Sequence, residues 1–244
     1  MTKEIDLRGH VWWVEGIIGC GKSTLTARLA KATGLRAIHE PVDTNPYLQP
    51  FYQAMDNVKP YTARSISPES QAAWWQVHHT AYAMQIYLLQ ARFALQKLAV
   101  AEALTGKGAI LDRGLPGDRV FAKMLQRSGH IREQDWKTYD AFYRLMTNDL
   151  RPPSLIIFLD VDPRVAFERV KKRDRAAEKS GVTLDYLKAL NAGYLDMLAD
   201  IESGRHVWSR GMHVMRWPWN SDDEPIDELI EQVQLRCKLV EAEG

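Results

Sequence analysis

The chain has 244 residues, 45% hydrophobic and 26% charged, with a formal net charge of +1 at neutral pH. That balance suits one large α/β domain with a substantial core, here taken as residues 1–244, and excludes a disordered chain or a general polyanion-binding face. Two cysteines, Cys20 and Cys237, exclude a disulfide scaffold, and Gln85, Gln90 and Arg92 interrupt the best apolar run before it reaches membrane-spanning length. Residues 1–9 are polar and charged, unlike a signal peptide, so the expected setting is a reducing, cytoplasmic one with neither a membrane nor a nucleic-acid polymer as partner.

Residues 10–14 read as a buried strand, and the chain then runs Gly16-Ile17-Ile18-Gly19-Cys20-Gly21-Lys22-Ser23-Thr24. This fits G-x-x-x-x-G-K-[ST] with an additional glycine at 19, and a helical pattern over 25–32 closes at Gly34. Strand, glycine loop and helix form the context the motif requires. Small residues let backbone N–H groups turn toward phosphate oxygens, Lys22 supplies a point charge, and Ser23 offers a hydroxyl to Mg²⁺. A nucleoside triphosphate is the expected ligand.

Residues 35–39 read as a second strand, stopped at Glu40-Pro41. A helix is expected around 47–55, and residues 57–70 read as an inserted segment. A long helix spans about 69–104 and is apolar on more than one face, as expected of a helix covered by the core and by a second subunit. Residues 108–111 form a short strand delivering Asp112-Arg113, followed by helices over 118–127 and 132–147. Residues 154–159 form the clearest strand, leading to Asp162-Pro163 as N-cap and first-turn proline. A charged run over 169–178, a helix over 183–203, a strand over 213–217 and a closing helix over 225–240 complete the pattern.

Strands alternating with helices predict a parallel sheet of about five strands with helices on both faces, ligands binding at the strands' carboxyl ends. The glycine loop, Glu40, Asp112 and Arg113 all fall there. Phosphoryl transfer to a hydroxyl needs a base near the acceptor, a metal, and cations over the developing charge. Glu40 suits the base, with a solvated strand-end carboxylate as the plain alternative. Asp112 suits Mg²⁺, and Arg113 suits orienting Glu40 or touching phosphate, with a structural ion pair as alternative. The run Arg173-Asp174-Arg175 suits a mobile lid over about 171–182 that brings charge to the phosphates only when closed.

Taken together, Glu15-Gly16 with the phosphate loop, Glu40-Pro41-Val42, Asn45-Pro46-Tyr47-Leu48 with Phe51-Tyr52, Gln85-Ile86-Tyr87 with Arg92-Phe93, Asp112-Arg113, Phe121-Ala122-Lys123-Met124-Leu125, and Arg173-x-Arg175-x-x-Glu178 resemble the deoxynucleoside kinase family. The resemblance covers about residues 10–200 and implies a P-loop NTPase-type fold, a homodimer, and transfer of the ATP γ-phosphate to a deoxynucleoside 5′-hydroxyl. It implies Glu40 as general base, Arg113 as its support, and Ser23 and Asp112 near Mg²⁺. It further implies Tyr52 and Glu178 on the deoxyribose 3′-hydroxyl, Gln85 on the base edge, and Arg173 and Arg175 on the lid. Arg92, two helical turns beyond Gln85, pairs in relatives acting on purines or cytosine with an aspartate that Asp118 resembles. A purine deoxynucleoside is therefore the expected acceptor.

Three departures stand out. Gly114 replaces the serine usual after the Asp/Glu-Arg pair, and the stretch between Arg113 and Phe121 is one residue shorter than the family pattern. Residues 57 to about 80 are longer than in bacterial relatives. Residues 217–220 match the family's ATP-adenine loop only loosely. A thymidylate-type monophosphate kinase shares the P-loop, Glu-Pro turn and Asp-Arg pair, but Val42-Asp43-Thr44 lacks the cations an acceptor phosphate needs. A non-catalytic ATP-binding module would not need the base, metal and lid candidates together.

Overall fold

β1 (Val11–Glu15) is buried along its whole length, and both of its tryptophans are fully enclosed. A strand covered on both faces belongs at a sheet's centre, and the computed structural model, which describes residues 9–40, 44–56, 68–173, 181–206, 212–221 and 223–243, places it there. The other strands are β2 (Arg36–Ile38), β3 (Ala109–Asp112), β4 (Leu155–Asp160) and β5 (His213–Pro218). All pairings are parallel, in the order β2-β3-β1-β4-β5. Each expected strand is present within a residue of its predicted ends.

The helices are α1 (Lys22–Thr33), α2 (Leu48–Asp56), α3 (Pro68–Leu104), α4 (Leu115–Arg127), α5 (Glu133–Thr147), α6 (Pro163–Arg173), α7 (Leu184–Glu202) and α8 (Asp227–Glu243). Asp162 Oδ1 accepts the Arg164 N–H at 2.7 Å, the expected cap at the start of α6. Thr183 caps α7 in the same way, accepting the Tyr186 N–H at 3.1 Å.

Register explains why the site residues meet. Ile38 lies opposite Leu111, and Val14 opposite Asp112. Glu40, Arg113 and the start of the glycine loop therefore leave the sheet at one edge, around the point where strand order reverses.

α3 has 37 residues, about 55 Å at the α-helical rise. Val77, Ala81, Met84, Leu88 and Leu89 enter the core, but Gln85, Arg92 and Gln96 are also buried on it. This internal polar stripe is why its apolar pattern does not resolve into one clean face. Gln96 Oε1 accepts the Trp13 indole N–H at 2.8 Å, and its amide donates to the Arg151 carbonyl at 3.2 Å. Part of the expected insertion is the first turn of this helix, residues 68–70; the remainder, 57–67, lies outside the described residues. The expected lid is corrected at its edges: residues 171–173 are the last turn of α6, Gly181 and Val182 are buried, and 174–180 lie outside the described residues.

Gly114 has a steric cause. Its backbone is extended, with φ −100° and ψ −176°, so no unusual conformation requires glycine. A Cβ there would instead run into the Trp13 ring, with two ring carbons at 2.7 Å. The indole occupies the space a serine would need. Gly114→Ser should destabilise the protein by about 1–3 kcal/mol, the usual cost of overpacking. In a double-mutant cycle by chemical denaturation, Trp13→Leu should recover part of that loss. Strict additivity of the two changes would show that Trp13 does not cause the glycine.

Candidate active site

The phosphate loop is shaped by glycines with positive φ at 16, 19 and 21. Gly19, outside the motif proper, is the most constrained by its neighbours. A Cβ there would lie 2.5 Å from the Ala166 carbonyl oxygen and 2.8 Å from Val170, both on α6. α6 thus packs directly on the loop. Arg169 of that helix donates to the Cys20 carbonyl at 3.2 Å and to the Trp219 and Asn220 carbonyls at 3.2 and 2.6 Å. Arg28 on α1 donates to the Glu224 carbonyl at 2.6 Å. The segment after β5 is thereby tied to the loop. Arg169 was hidden in a charged run that reads as lid, and nothing in that run distinguishes it from its neighbours.

Lys22 is buried and donates to the Ile17 carbonyl at 2.9 Å. Burial, and then the Arg113 charge, lower its pKa. Cys20 is a buried free thiol 3.7 Å from the Lys22 ammonium, and Thr24 is half-buried in the first turn of α1. Ser23 donates to Asp112 Oδ2, while Asp112 Oδ1 is buried with no hydrogen-bond partner among the described residues. A hydroxyl beside an unspent carboxylate oxygen is a donor set that fits Mg²⁺.

Across the cleft floor runs a line of alternating charge. Asp118, fully buried at the start of α4, pairs with Arg92 and accepts the Tyr139 hydroxyl. The shortened stretch before Phe121 has therefore not moved Asp118 away from Arg92. Arg92 also donates to Glu40, whose other oxygen accepts Arg113 Nε at 3.2 Å. Burial, and then the Arg113 charge, pull the Arg92 guanidinium down to about 9, leaving it charged at neutral pH.

Arg113 is the single non-glycine residue with positive φ, 76°, among the described residues. With a Cβ close to the following carbonyl oxygen the conformation costs about 1–2 kcal/mol, so its surroundings must hold it. Its guanidinium lies 4.5 Å over the Phe121 ring and donates to the Tyr194 hydroxyl. Tyr194 donates onward to Glu15 Oε2 at 3.1 Å, and Glu15 Oε1 accepts the Gly114 N–H at 2.7 Å. Burial raises the Glu15 pKa, opposed by Arg113 and the Gly114 N–H. Glu15 enters the sequence reading only as part of the loop motif, and Tyr194 not at all. A tyrosine in a helical apolar pattern carries no signal separating it from core.

A cleft of about 780 Å³, its open mouth included, brings together Lys22, Ser23, Glu40, Tyr52, Gln85, Arg92, Asp112, Arg113 and Arg173. Phe121 and Tyr186 also line it and were not singled out as site residues. Gln85 is 1% exposed, and neither its amide nitrogen nor its oxygen has a hydrogen-bond partner among the described residues. The Tyr52 ring packs against Gly181, where any side chain would collide with it. Arg175 and Glu178 lie outside the described residues.

Comparison with known proteins agrees with this geometry. The deoxynucleoside kinase family model matches residues 13–64 and 70–237. A deoxyadenosine kinase of Dictyostelium discoideum is 36% identical over 227 residues, covering 92% of this chain and 79% of that protein. A deoxyadenosine/deoxycytidine kinase of Bacillus subtilis strain 168 is 29% identical, covering 90% of this chain and 89% of that protein. The structure of deoxyadenosine kinase from M. mycoides, solved with dCMP and a flexible dCDP bound, aligns with a TM-score of 0.67 at 25% identity, covering 93% of this chain and 98% of that one. A P-loop at the centre of a parallel sheet, a carboxylate and two arginines facing it, and a family match along most of the sequence lead to one conclusion: the chain belongs to the deoxynucleoside kinase family and is an ATP-dependent phosphotransferase.

Proposed function

We propose that this kinase acts in nucleotide salvage, moving the ATP γ-phosphoryl group to the 5′-hydroxyl of a purine deoxynucleoside, with deoxycytidine a weaker acceptor and thymidine a poor one. The observation that carries the base preference is Gln85. A buried amide with both polar atoms unspent is costly unless a ligand completes it. It offers one donor and one acceptor side by side, which matches an adenine or guanine edge. The Arg92–Asp118 pair, two turns further along α3, adds donors and an acceptor. Thymine presents carbonyls and a methyl group there, and the methyl needs room beside the pair. The names of the Dictyostelium and Bacillus relatives, deoxyadenosine and deoxyadenosine/deoxycytidine kinase, point the same way.

In the proposed chemistry Glu40 accepts the 5′-hydroxyl proton as that oxygen bonds to the γ-phosphorus and the bond to the ADP oxygen breaks. Arg113 holds Glu40 through its Nε. Lys22 and Arg173, both lining the cleft, offset charge on the transferring group, joined by Arg175 from the lid. The loop N–H groups of Gly16, Gly19, Cys20, Gly21 and Thr24 cradle the phosphates. Ser23 and Asp112 would hold Mg²⁺, which when bound offsets phosphate charge. Tyr52 and Glu178 are assigned to the 3′-hydroxyl by resemblance.

The functional unit is proposed to be a homodimer. On α3, Tyr87, Phe93 and Leu95 are apolar residues that one sheet leaves incompletely covered: all three are half-buried, Tyr87 donating to the Thr44 carbonyl at 3.1 Å and Phe93 and Leu95 packing partly against the core. The exposed large apolar side chains of the two helices are Trp75, Leu98 and Leu104 on α3 and Phe142 and Leu145 on α5. α3 and α5 pack on each other, and the proposed second copy lies across them.

Glu40→Gln should retain ATP binding and lower turnover by about 10²-fold or more, the range for a lost general base; near-normal turnover would remove Glu40 from the mechanism. When the four deoxynucleosides compete for limiting ATP, the purines should be phosphorylated fastest. Gln85→Leu should flatten that preference, raising the KM for the best acceptor by about 10-fold or more for two lost hydrogen bonds. Thymidine emerging first would overturn the Gln85 and Arg92–Asp118 argument. Sedimentation should give twice the 27.9 kDa chain mass, falling to one chain for Leu145→Glu; a monomeric wild type would end the dimer proposal.

A further inference from the structure

The Arg113 side chain is reached from behind by groups that line no part of the cleft. We infer that Tyr194 and Glu15 are positioning residues, which hold the Arg113 guanidinium in the one orientation that presents Nε to Glu40. The inference rests on the reading of Glu40 as the base.

Proton direction is settled by the partners. A guanidinium only donates, so the Tyr194 oxygen accepts from Arg113 Nη1, and its single hydrogen goes to Glu15 Oε2 at 3.1 Å. Glu15 Oε1 meanwhile accepts from the backbone N–H of Gly114, the residue directly after Arg113. The same carboxylate therefore grips the turn that carries Arg113 and, through Tyr194, the far end of its side chain. Both grips act on a residue whose φ of 76° an L side chain rarely adopts. All the participants are buried: Glu15 and Tyr194 are fully enclosed, and Arg113 is 4% exposed. Water is in no position to substitute for either contact.

A seat for the pair is built into α4. A Cβ on Gly117 would lie 2.5 and 2.8 Å from the two Glu15 oxygens and 2.8 Å from the Tyr194 hydroxyl. Gly117 has no positive φ, so its lack of a side chain serves this approach and not the backbone. Three elements, β1, α4 and α7, thus converge on one hydroxyl.

The groups facing Arg113 and Glu40 are Arg92 from α3, Asp112 from β3, Lys22 and Cys20 from the phosphate loop and α1, Glu15 from β1 and Tyr194 from α7. Removing the Tyr194 oxygen leaves Arg113 and Glu15 as opposite charges with nothing between them. They draw together, and the guanidinium loosens its hold on Glu40. The carboxylate then loses part of a stabilising cation, so it ionises at higher pH, and its aim at the acceptor hydroxyl is lost.

Tyr194→Phe tests this with the intact chain, ATP and its best deoxynucleoside. The expected result is a kcat about 10-fold lower at neutral pH, an acid limb of the kcat–pH profile moved upward by about half a unit or more, and a nucleoside KM within about threefold of wild type. Gly117→Ala, which presses a methyl against the same carboxylate and hydroxyl from another element, should move kcat and the acid limb in the same direction. Thermal unfolding and ATP binding accompany both variants. An unchanged kcat and profile in Tyr194→Phe would overturn the inference. A fall in melting temperature with both KM values raised and the acid limb unmoved would overturn it equally, since that is a packing defect. Glu40→Gln run alongside separates the two levels: full activity there removes the base reading itself, whereas an inactive Glu40→Gln with a normal Tyr194→Phe removes only the role of Tyr194 and Glu15.

Discussion

Asp118, Arg92, Glu40, Arg113 and, through the Tyr194 hydroxyl, Glu15 form a line of buried groups in which each charge is held by the next of opposite sign. Placing an ion inside a protein costs several kcal/mol, recovered only when good geometry and further hydrogen bonds supply partners. No member of this line is therefore stable alone, and removing one leaves its neighbour uncompensated. The groups come from β1, the turns after β2 and β3, and helices α3, α4 and α7. The line can close only when the sheet is in register and three helices have docked, so the active site depends on all of these elements at once. Interdependence of this kind holds Arg113 in a backbone conformation it would not adopt by itself.

The parts of the site legible in sequence were those whose chemistry is written locally. A glycine loop between a strand and a helix, a Glu-Pro turn after an apolar run, and an Asp-Arg pair at a strand end each carry their meaning within a few residues. Glu15, Tyr194 and Arg169 do not. Tyr194 lies far along the chain from Arg113, inside a helix whose other buried positions are three leucines, Met197 and Ile201. Its role is set by a contact that only tertiary packing creates. Arg169 shows the converse difficulty, because five basic residues fall within 169–175 and periodicity cannot single out the one turned onto the loop carbonyls.

Deviations from the family pattern become intelligible once packing is known. The Gly114 substitution answers to Trp13, and Trp13 in turn needs Gln96 for its indole N–H. One large side chain at the centre of the sheet thus dictates a glycine in the catalytic turn and a buried amide on α3. The shorter stretch before Phe121 is absorbed differently. α4 begins at Leu115, immediately after the turn, with Pro116 in its first turn and Asp118 already within the helix. Asp118 is consequently placed by the helix, which fixes where its side chain emerges, and it still meets Arg92 and Tyr139.

Arg92 carries the consequence furthest. One nitrogen faces Asp118, on the side assigned to the nucleobase, and another faces Glu40, on the side assigned to the 5′-hydroxyl. A single rigid guanidinium cannot adjust to one partner without moving relative to the other. Under the proposed reading, base recognition and base catalysis are mechanically joined through α3, whose backbone also presents Gln85 to the cleft. A nucleobase that engages Gln85 and the Arg92–Asp118 pair leaves Arg92 where it steadies Glu40. One that pushes against the pair displaces Arg92 and the carboxylate together. Discrimination between acceptors then falls on turnover as well as on binding, because the wrong base disturbs the group that takes the proton.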